Sequence, residues 1–177
     1  ERQAKKIPGA GELLEDAQLI REELERCRIV LDRMAVAGGE HIGEAITSIP
    51  VEDLFAEVRS RLDAEQASRW ETRSSVDTID APRDALLQMA ENIARNGFDA
   101  CEQGRVSLEV SRRPAAVELS FVDEGHGMDE EAIKRATDPF FTTKQVGDRM
   151  GLGLFLARTL VDSLSGELLI ESATDRG

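Results

Sequence analysis

Two asparagines four residues apart, Asn92 and Asn96, have the type and spacing to do chemistry. On a helix, positions four apart stack on one face. Paired carboxamide oxygens suit Mg²⁺, a hard cation that takes oxygen ligands and keeps water and substrate phosphates in its shell. Such a pair alone is usually plain helix surface, so its weight comes from its company. Downstream, Asp123-Glu-Gly125-His-Gly127 ends a strand-like stretch. An aspartate there would accept a hydrogen bond from an exocyclic amine, and the glycines would let a flat ring approach. By itself the same spacing also describes a turn. The third group is Asp138-Pro-Phe-Phe-Thr142-Thr143-Lys144, six further residues, then Gly151-Leu152-Gly153-Leu154. Glycines at 147, 151 and 153 let backbone N–H groups come close to phosphate oxygens, where a Cβ would obstruct them. The apolar run Leu152, Leu154, Phe155, Leu156 and Leu160 then starts a helix whose positive N-terminus points at the same place. A loop closing over a polyanion would be built from these parts.

The surrounding sequence must position these groups. Asp80-Ala-Pro82 opens a helix with an apolar face of Leu86, Leu87, Ala90, Ile93, Ala94 and Phe98, and this helix carries both asparagines. Strands follow near 106–111 and 116–122, separated by Arg113-Pro114. A short helix at 129–136, a helix at 152–165 and a strand at 167–172 complete the order. Upstream, residues 69–79 are β-favouring and partly alternating and read as a strand. Residues 48–62, with Pro50 near the start and Val51, Leu54, Phe55, Val58 and Leu62 apolar, read as a helix with one buried face. This order predicts an α+β fold, an α/β sandwich in which a mixed β-sheet is covered on one side by helices.

The first third has a different character. Residues 1–11 read as a helix tail and a loop. Then Leu13, Ala17, Ile20, Leu24, Cys27, Leu31 and Met34 recur at alternating steps of four and three, until Gly38-Gly39 end the pattern. That period of 3.5 residues is a coiled-coil or four-helix-bundle seam. One amphipathic helix packed on its own domain is the simpler reading; three unbroken heptads favour a bundle or a second copy. The expected division is 1–39, part of a helical-hairpin or coiled-coil dimerisation segment, and 40–177, the site-bearing domain. Cys27 lies on the seam, where a small apolar residue is ordinary packing. In a dimer, a thiol there can also approach its symmetry mate and respond to oxidation. Cys101 reads as packing, and His41 as a solvated loop residue without a role.

Composition narrows the partners. With 177 residues and 41% hydrophobic content, the chain can bury a core and carry an appendage. A net charge of −13 disfavours nonspecific binding to nucleic acid or an anionic membrane. Any polyanion site must therefore be rescued locally by cations, helix N-termini or a metal. Two cysteines suit a reducing compartment. No apolar run approaches the ~20 residues of a membrane span, so a soluble chain without direct membrane contact is expected.

Taken together, Asn92-Ile-Ala-Arg-Asn96, Asp123-x-Gly125-x-Gly127, Asp138-Pro-Phe140-Phe141-Thr-Thr-Lys144 and Gly151-Leu-Gly153-Leu resemble the N, first glycine, F and second glycine boxes of sensor histidine kinases, in the right order. These kinases belong to the wider GHKL group with Hsp90, DNA gyrase and MutL. The resemblance implies that Asn92 and Asn96 ligate Mg²⁺, that Asp123 reads the adenine amine of ATP, and that Gly125 and Gly127 give the base room. It implies that Gly151, Leu152, Gly153 and Leu154 present the phosphate-binding backbone. A lid at about 130–150, with Thr142, Thr143 and Lys144, would close over ATP. Lys144 would be a catalytic cation with the two asparagines, and Arg149 a further helper; a solvated charge is the alternative for both.

In the hydrolytic cousins, a water-activating carboxylate stands four positions before the Mg²⁺ asparagine. Here that position is Asn92, which cannot act as a base, and this suits a kinase. Glu91 is adjacent but points about 100° around the helix. The seam resembles the second helix of the kinase dimerisation bundle, and the stretch from Ala17 through Cys27 looks most like the redox-responsive RegB/PrrB branch. Neither His41 nor His126 fits the family's phosphoacceptor motif, so the acceptor histidine is expected upstream of Glu1, and another glycine box beyond Gly177. The implied protein is the cytosolic transmitter of a two-component system, with a membrane-anchored sensor as one setting. It would form a homodimer through the 12–37 helix and serve a response regulator. The alternatives are a GHKL-type ATPase or chaperone module and a non-catalytic nucleotide-binding interaction module.

Overall fold

A computed structural model of the chain describes residues 44–142 and 151–172. The seam helix, Cys27, His41, Thr143, Lys144, Gly147 and Arg149 lie outside the described residues. The element order is β1 (Ile46–Pro50), α1 (Val51–Ser60), α2 (Ala64–Ser68), β2 (Trp70–Ser74), β3 (Thr78–Pro82), α3 (Arg83–Ala100), β4 (Val106–Arg112), β5 (Val117–Asp123), α4 (Glu130–Arg135) and α5 (Gly153–Ser163).

Proline sets two of the boundaries. Pro50 and Pro82 each end a strand and act as the N-cap of the next helix, with extended backbone. A missing N–H is harmless at such a junction, and the fixed φ points the chain into the helix.

The strands form two sheets. β2 runs parallel to β4, with Trp70 opposite Val106, and β4 runs antiparallel to β5, with Leu108 opposite Phe121. β1 and β3 make a separate antiparallel ribbon, with Ile49 opposite Ile79. The parallel pairing of β2 and β4 requires a crossover, and α3 lies in that connection. On β4, Val106, Leu108 and Val110 are buried whereas Glu109 is exposed, so one face is dry and the other wet. The dry face joins a core with Val51, Leu54, Phe55 and Val58 of α1, Leu86, Leu87, Ala90, Ala94 and Phe98 of α3, and Ala157 of α5. This is the expected mixed α+β sandwich with helices on one face. Leu108 has no exposed surface, and truncating such a side chain to alanine costs about 2–5 kcal/mol.

Several local expectations change. Ser48 to Pro50, expected as helix, belong to β1, because pairing with β3 satisfies their backbone groups; the helix begins at Val51. The expected strand over 69–79 is two strands in different sheets. The break is an ST-type turn in which the Val76 amide donates to Ser74 Oγ (3.1 Å), while the Ser75 amide donates to the Val110 carbonyl (2.9 Å). α2 was not anticipated, although a capping box between Asp63 and Gln66 marks its start. Residues 167–172 form no strand; Leu169 is 74% exposed. Apolar residues there do not suffice without a ladder partner. None of the described helices is long and apolar enough to cross a membrane.

Candidate functional site

The site is assembled around the second half of α3. Ala90, Ala94, Gly97 and Phe98 are buried, which holds this helix against the sheet and leaves Asn92 and Asn96 partly accessible on another face. α5 meets that face at its first residue. A Cβ placed on Gly153 would stand 3.0 Å from Asn96 Nδ2 and 3.7 Å from Asn92 Cβ. No side chain at the start of α5 therefore fills the space beside the two carboxamides. Among the described residues, α5 also has no side-chain cap at its N-terminus, where Leu152 is the N-cap. The first N–H groups of such a helix are donors without intrahelical partners, and they open next to Asn96. Uncapped donors, a positive helix end and two carboxamide oxygens suit a phosphate chain with its Mg²⁺.

The aspartate turn packs one residue further along α3. A Cβ on Gly97 would meet Asp123 Cβ at 3.1 Å and Val106 Cγ2 at 3.1 Å, so β5 delivers Asp123 directly against the helix. Asp123 Oδ1 accepts a hydrogen bond from the Gly125 amide at 3.0 Å. The turn then folds onto the end of α3, where the His126 amide donates to the Ala100 carbonyl at 3.2 Å. A Cβ on Gly125 would come within 2.8 Å of that carbonyl and 2.7 Å of Asp123 Oδ1, so the position accepts only glycine without rearrangement. Gly127 has φ of +70°, the left-handed region glycine enters without a steric penalty.

The third group is joined across its own gap. The Phe140 amide donates to the Gly151 carbonyl at 3.1 Å, with both residues in the left-handed region, φ +66° and +64°. Arg135 of α4 places its guanidinium 4.4 Å from the centroid of the Phe141 ring and lies 3.7 Å from the Asp138 carboxylate. The turn 138–141 is thus anchored to α4 on one side and to the entry of α5 on the other. Leu152 is buried and Thr142 and Leu154 are half-buried. The structure brings Asn92, Asn96 and Gly153 together and sets Asp123, Gly125 and Gly127 beside them through Gly97.

Two features went unseen in the sequence. Glu91 accepts from Arg61 Nη1 at 2.9 Å and from Arg95 Nε at 3.0 Å, and Arg95 also donates to the Arg61 carbonyl. These two contacts hold the Glu91 carboxylate toward Arg61 and Arg95, in keeping with its angular position away from Asn92. Arg135 was missed as the anchor of Phe141; the only signal was a cation six residues before an aromatic. Cys101 closes α3 and is buried, and burial, followed by the nearby Asp123 charge, pushes its thiol pKa up.

Comparison with known proteins places this geometry. Residues 81–177 match the family described as histidine kinase-, DNA gyrase B-, and HSP90-like ATPase. The sensor histidine kinase ZraS of Escherichia coli (strain K12) is 26% identical over 181 residues, covering 98% of this chain and 38% of the relative. Sporulation kinase C of Bacillus subtilis (strain 168) is 34% identical over 100 residues, covering 56% of this chain and 23% of the relative. The chain thus spans well under half the length of these curated relatives. Among solved structures, the catalytic domain of histidine kinase ThkA, nucleotide-free, superposes with a TM-score of 0.58 at 24% identity, covering 66% of this chain and 80% of that one. Full-length ShkA in complex with AMPPNP gives 0.62 at 25% identity, covering 78% of this chain and 32% of that one. The chain belongs to the histidine kinase-, DNA gyrase B- and HSP90-like ATPase family, and its domain is of the histidine kinase type.

Proposed function

We propose that this chain is the ATP-binding transmitter portion of a two-component sensor histidine kinase. It would transfer the γ-phosphoryl of ATP to a histidine on a dimer bundle, and thence to an aspartate of a response regulator. The observation that supports this most is the contact of Gly153 with the Asn92/Asn96 face, one residue from the Gly97–Asp123 contact. Asp123 would accept from the adenine amine, with Gly125 and Gly127 making room for the ring. Gly151 to Leu154 would offer backbone N–H groups to the phosphates, with Thr142, Thr143 and Lys144 contributing from the adjoining lid. Asn92 and Asn96 would hold Mg²⁺, which when bound neutralises phosphate charge. The protein's own part in phosphoryl transfer is positioning and charge neutralisation. Asn92 is no base and Glu91 is held by two arginines, so stray hydrolysis would be slow.

In this reading the 12–37 helix forms the homodimer, the protein works in the cytoplasm, and the resemblance to the redox-responsive RegB/PrrB branch makes Cys27 a redox candidate. Non-reducing electrophoresis after mild oxidation tests that point: a Cys27→Ser chain that crosslinks as well as the parent removes it. The site itself is tested by Mg²⁺-dependent binding of a non-hydrolysable ATP analogue. Binding is expected in the parent chain and lost in Asn96→Ala and Asp123→Ala. Unchanged affinity in both variants would refute the assignment, and sustained ATP turnover by the chain alone would favour a GHKL-type ATPase.

A further inference from the structure

The first N–H groups of an α-helix have no intrahelical partners, and the usual remedy is a Ser, Thr, Asp or Asn side chain at the N-cap that accepts from the second and third residues. α3 lacks this remedy. Its N-cap is Pro82, which makes no side-chain cap. The second and third residues, Asp84 and Ala85, nevertheless donate their amides to the two carboxylate oxygens of Glu44, at 2.8 and 3.3 Å. The cap comes from forty residues away. Glu44 reaches it because β1 pairs with β3 in a register that sets Ile46 opposite Pro82. A carboxylate here also meets the positive end of the helix dipole.

We infer that Glu44 is a positioning residue that clasps the segment entering the domain to the helix carrying Asn92 and Asn96. Glu44 follows Gly38-Gly39, which end the seam pattern, by five residues. Glu44 stands two residues before β1, where the chain continuing from the seam enters the domain's first strand. From the clasp α3 runs as a buried rod through Leu86, Leu87, Met89 and Ala90, and Asn92 lies about two turns beyond it. The clasp joins the incoming segment to the site without passing through the sheet. Its significance for nucleotide handling rests on the proposed role of Asn92 and Asn96; its existence does not.

Amide hydrogen exchange on the full chain tests the clasp without nucleotide. In Glu44→Ala, the amides of Asp84 and Ala85 and those of segment 44–48 should all exchange about fivefold faster, the effect of losing a cap of ordinary strength. Adding Pro82→Ser gives α3 its own cap; Asp84 and Ala85 should then recover while segment 44–48 stays fast. Glu44→Gln, which keeps one acceptor oxygen, should give an intermediate effect and serves if the alanine variant does not fold. Unaltered exchange at 44–48 in every variant would mean that Glu44 serves the helix end alone, and would overturn the clasp. With a Mg²⁺–ATP analogue present, exchange at 44–48 should slow in the parent and not in the recapped double variant. A parent chain that binds no analogue counts against the proposed function, and the nucleotide-free comparison then still decides the clasp.

Discussion

Gly153 lies against Asn96 so closely that a Cβ would stand 3.0 Å from the carboxamide nitrogen, with Asn92 Cβ at 3.7 Å. The neighbour that must yield is the side chain assigned to the metal. Gly153→Ala should therefore weaken Mg²⁺-dependent analogue binding about tenfold, or ~1.4 kcal/mol, while moving the thermal midpoint little. Titration calorimetry paired with a melt separates the two. Parental affinity in this variant would mean that the Asn96 carboxamide is not needed where the structure places it.

Gly151 makes a different prediction. Its φ is +64° and a Cβ would lie 2.4 Å from the Phe141 carbonyl, a backbone atom that cannot rotate aside. Gly151→Ala should cost about 1–3 kcal/mol through backbone strain, by releasing the Phe140–Gly151 hydrogen bond. Denaturant unfolding measures this. A midpoint equal to the parent's would show that the pairing of these two residues contributes no stability.

The Arg61–Glu91–Arg95 group gives a prediction of small effect. The side chains keep 46%, 21% and 34% of their surface exposed, so solvent screens the pairs and each contributes less than about 1 kcal/mol. Glu91→Gln should lower stability within that limit and leave ATP turnover unaltered. A fall in turnover would reassign Glu91 as a base.

Cys101 predicts a pH dependence. Burial raises its thiol pKa above the ordinary 9.0, so the folded state holds the proton more tightly than the unfolded chain. The associated stability is complete below pH 9.0 and is lost as the pH rises through the folded thiol pKa. Near neutrality the thiol should react with a maleimide far more slowly than a free thiol does, and unfolding should abolish the difference. Reaction of Cys101 at the free-thiol rate in the folded Cys27→Ser chain would contradict its burial.

What the sequence made legible follows a physical divide. α3, β4, β5 and α5 were readable because each depends on its own apolar periodicity and on punctuation beside it, such as Pro82 or Arg113-Pro114. Asn92, Asn96, Asp123 and Gly153 stood out by residue type and spacing, and the structure sets them side by side along α3. β1 was missed because its hydrogen bonds are made with β3, thirty residues away, and local propensity around Pro50 favours a helix start. The stretch 69–79 divided because Ser74 bonds the backbone two residues on, a competition that β-propensity does not register. Glu44 gave no signal, since a glutamate before a strand looks like any surface charge until the register of β1 places it at the end of α3.

Trp70 is the chain's one tryptophan, and there is no tyrosine. It is buried, its ring centroid lies 6.5 Å from that of Phe98 on α3, and among the described residues its indole N–H meets no acceptor. Emission from the whole chain is therefore the signal of a single indole in an apolar setting, at short wavelength when folded and shifting to the red as water enters. This chain thus carries its own optical gauge of whether the sheet and α3 remain packed together, with no label and no second fluorophore to subtract.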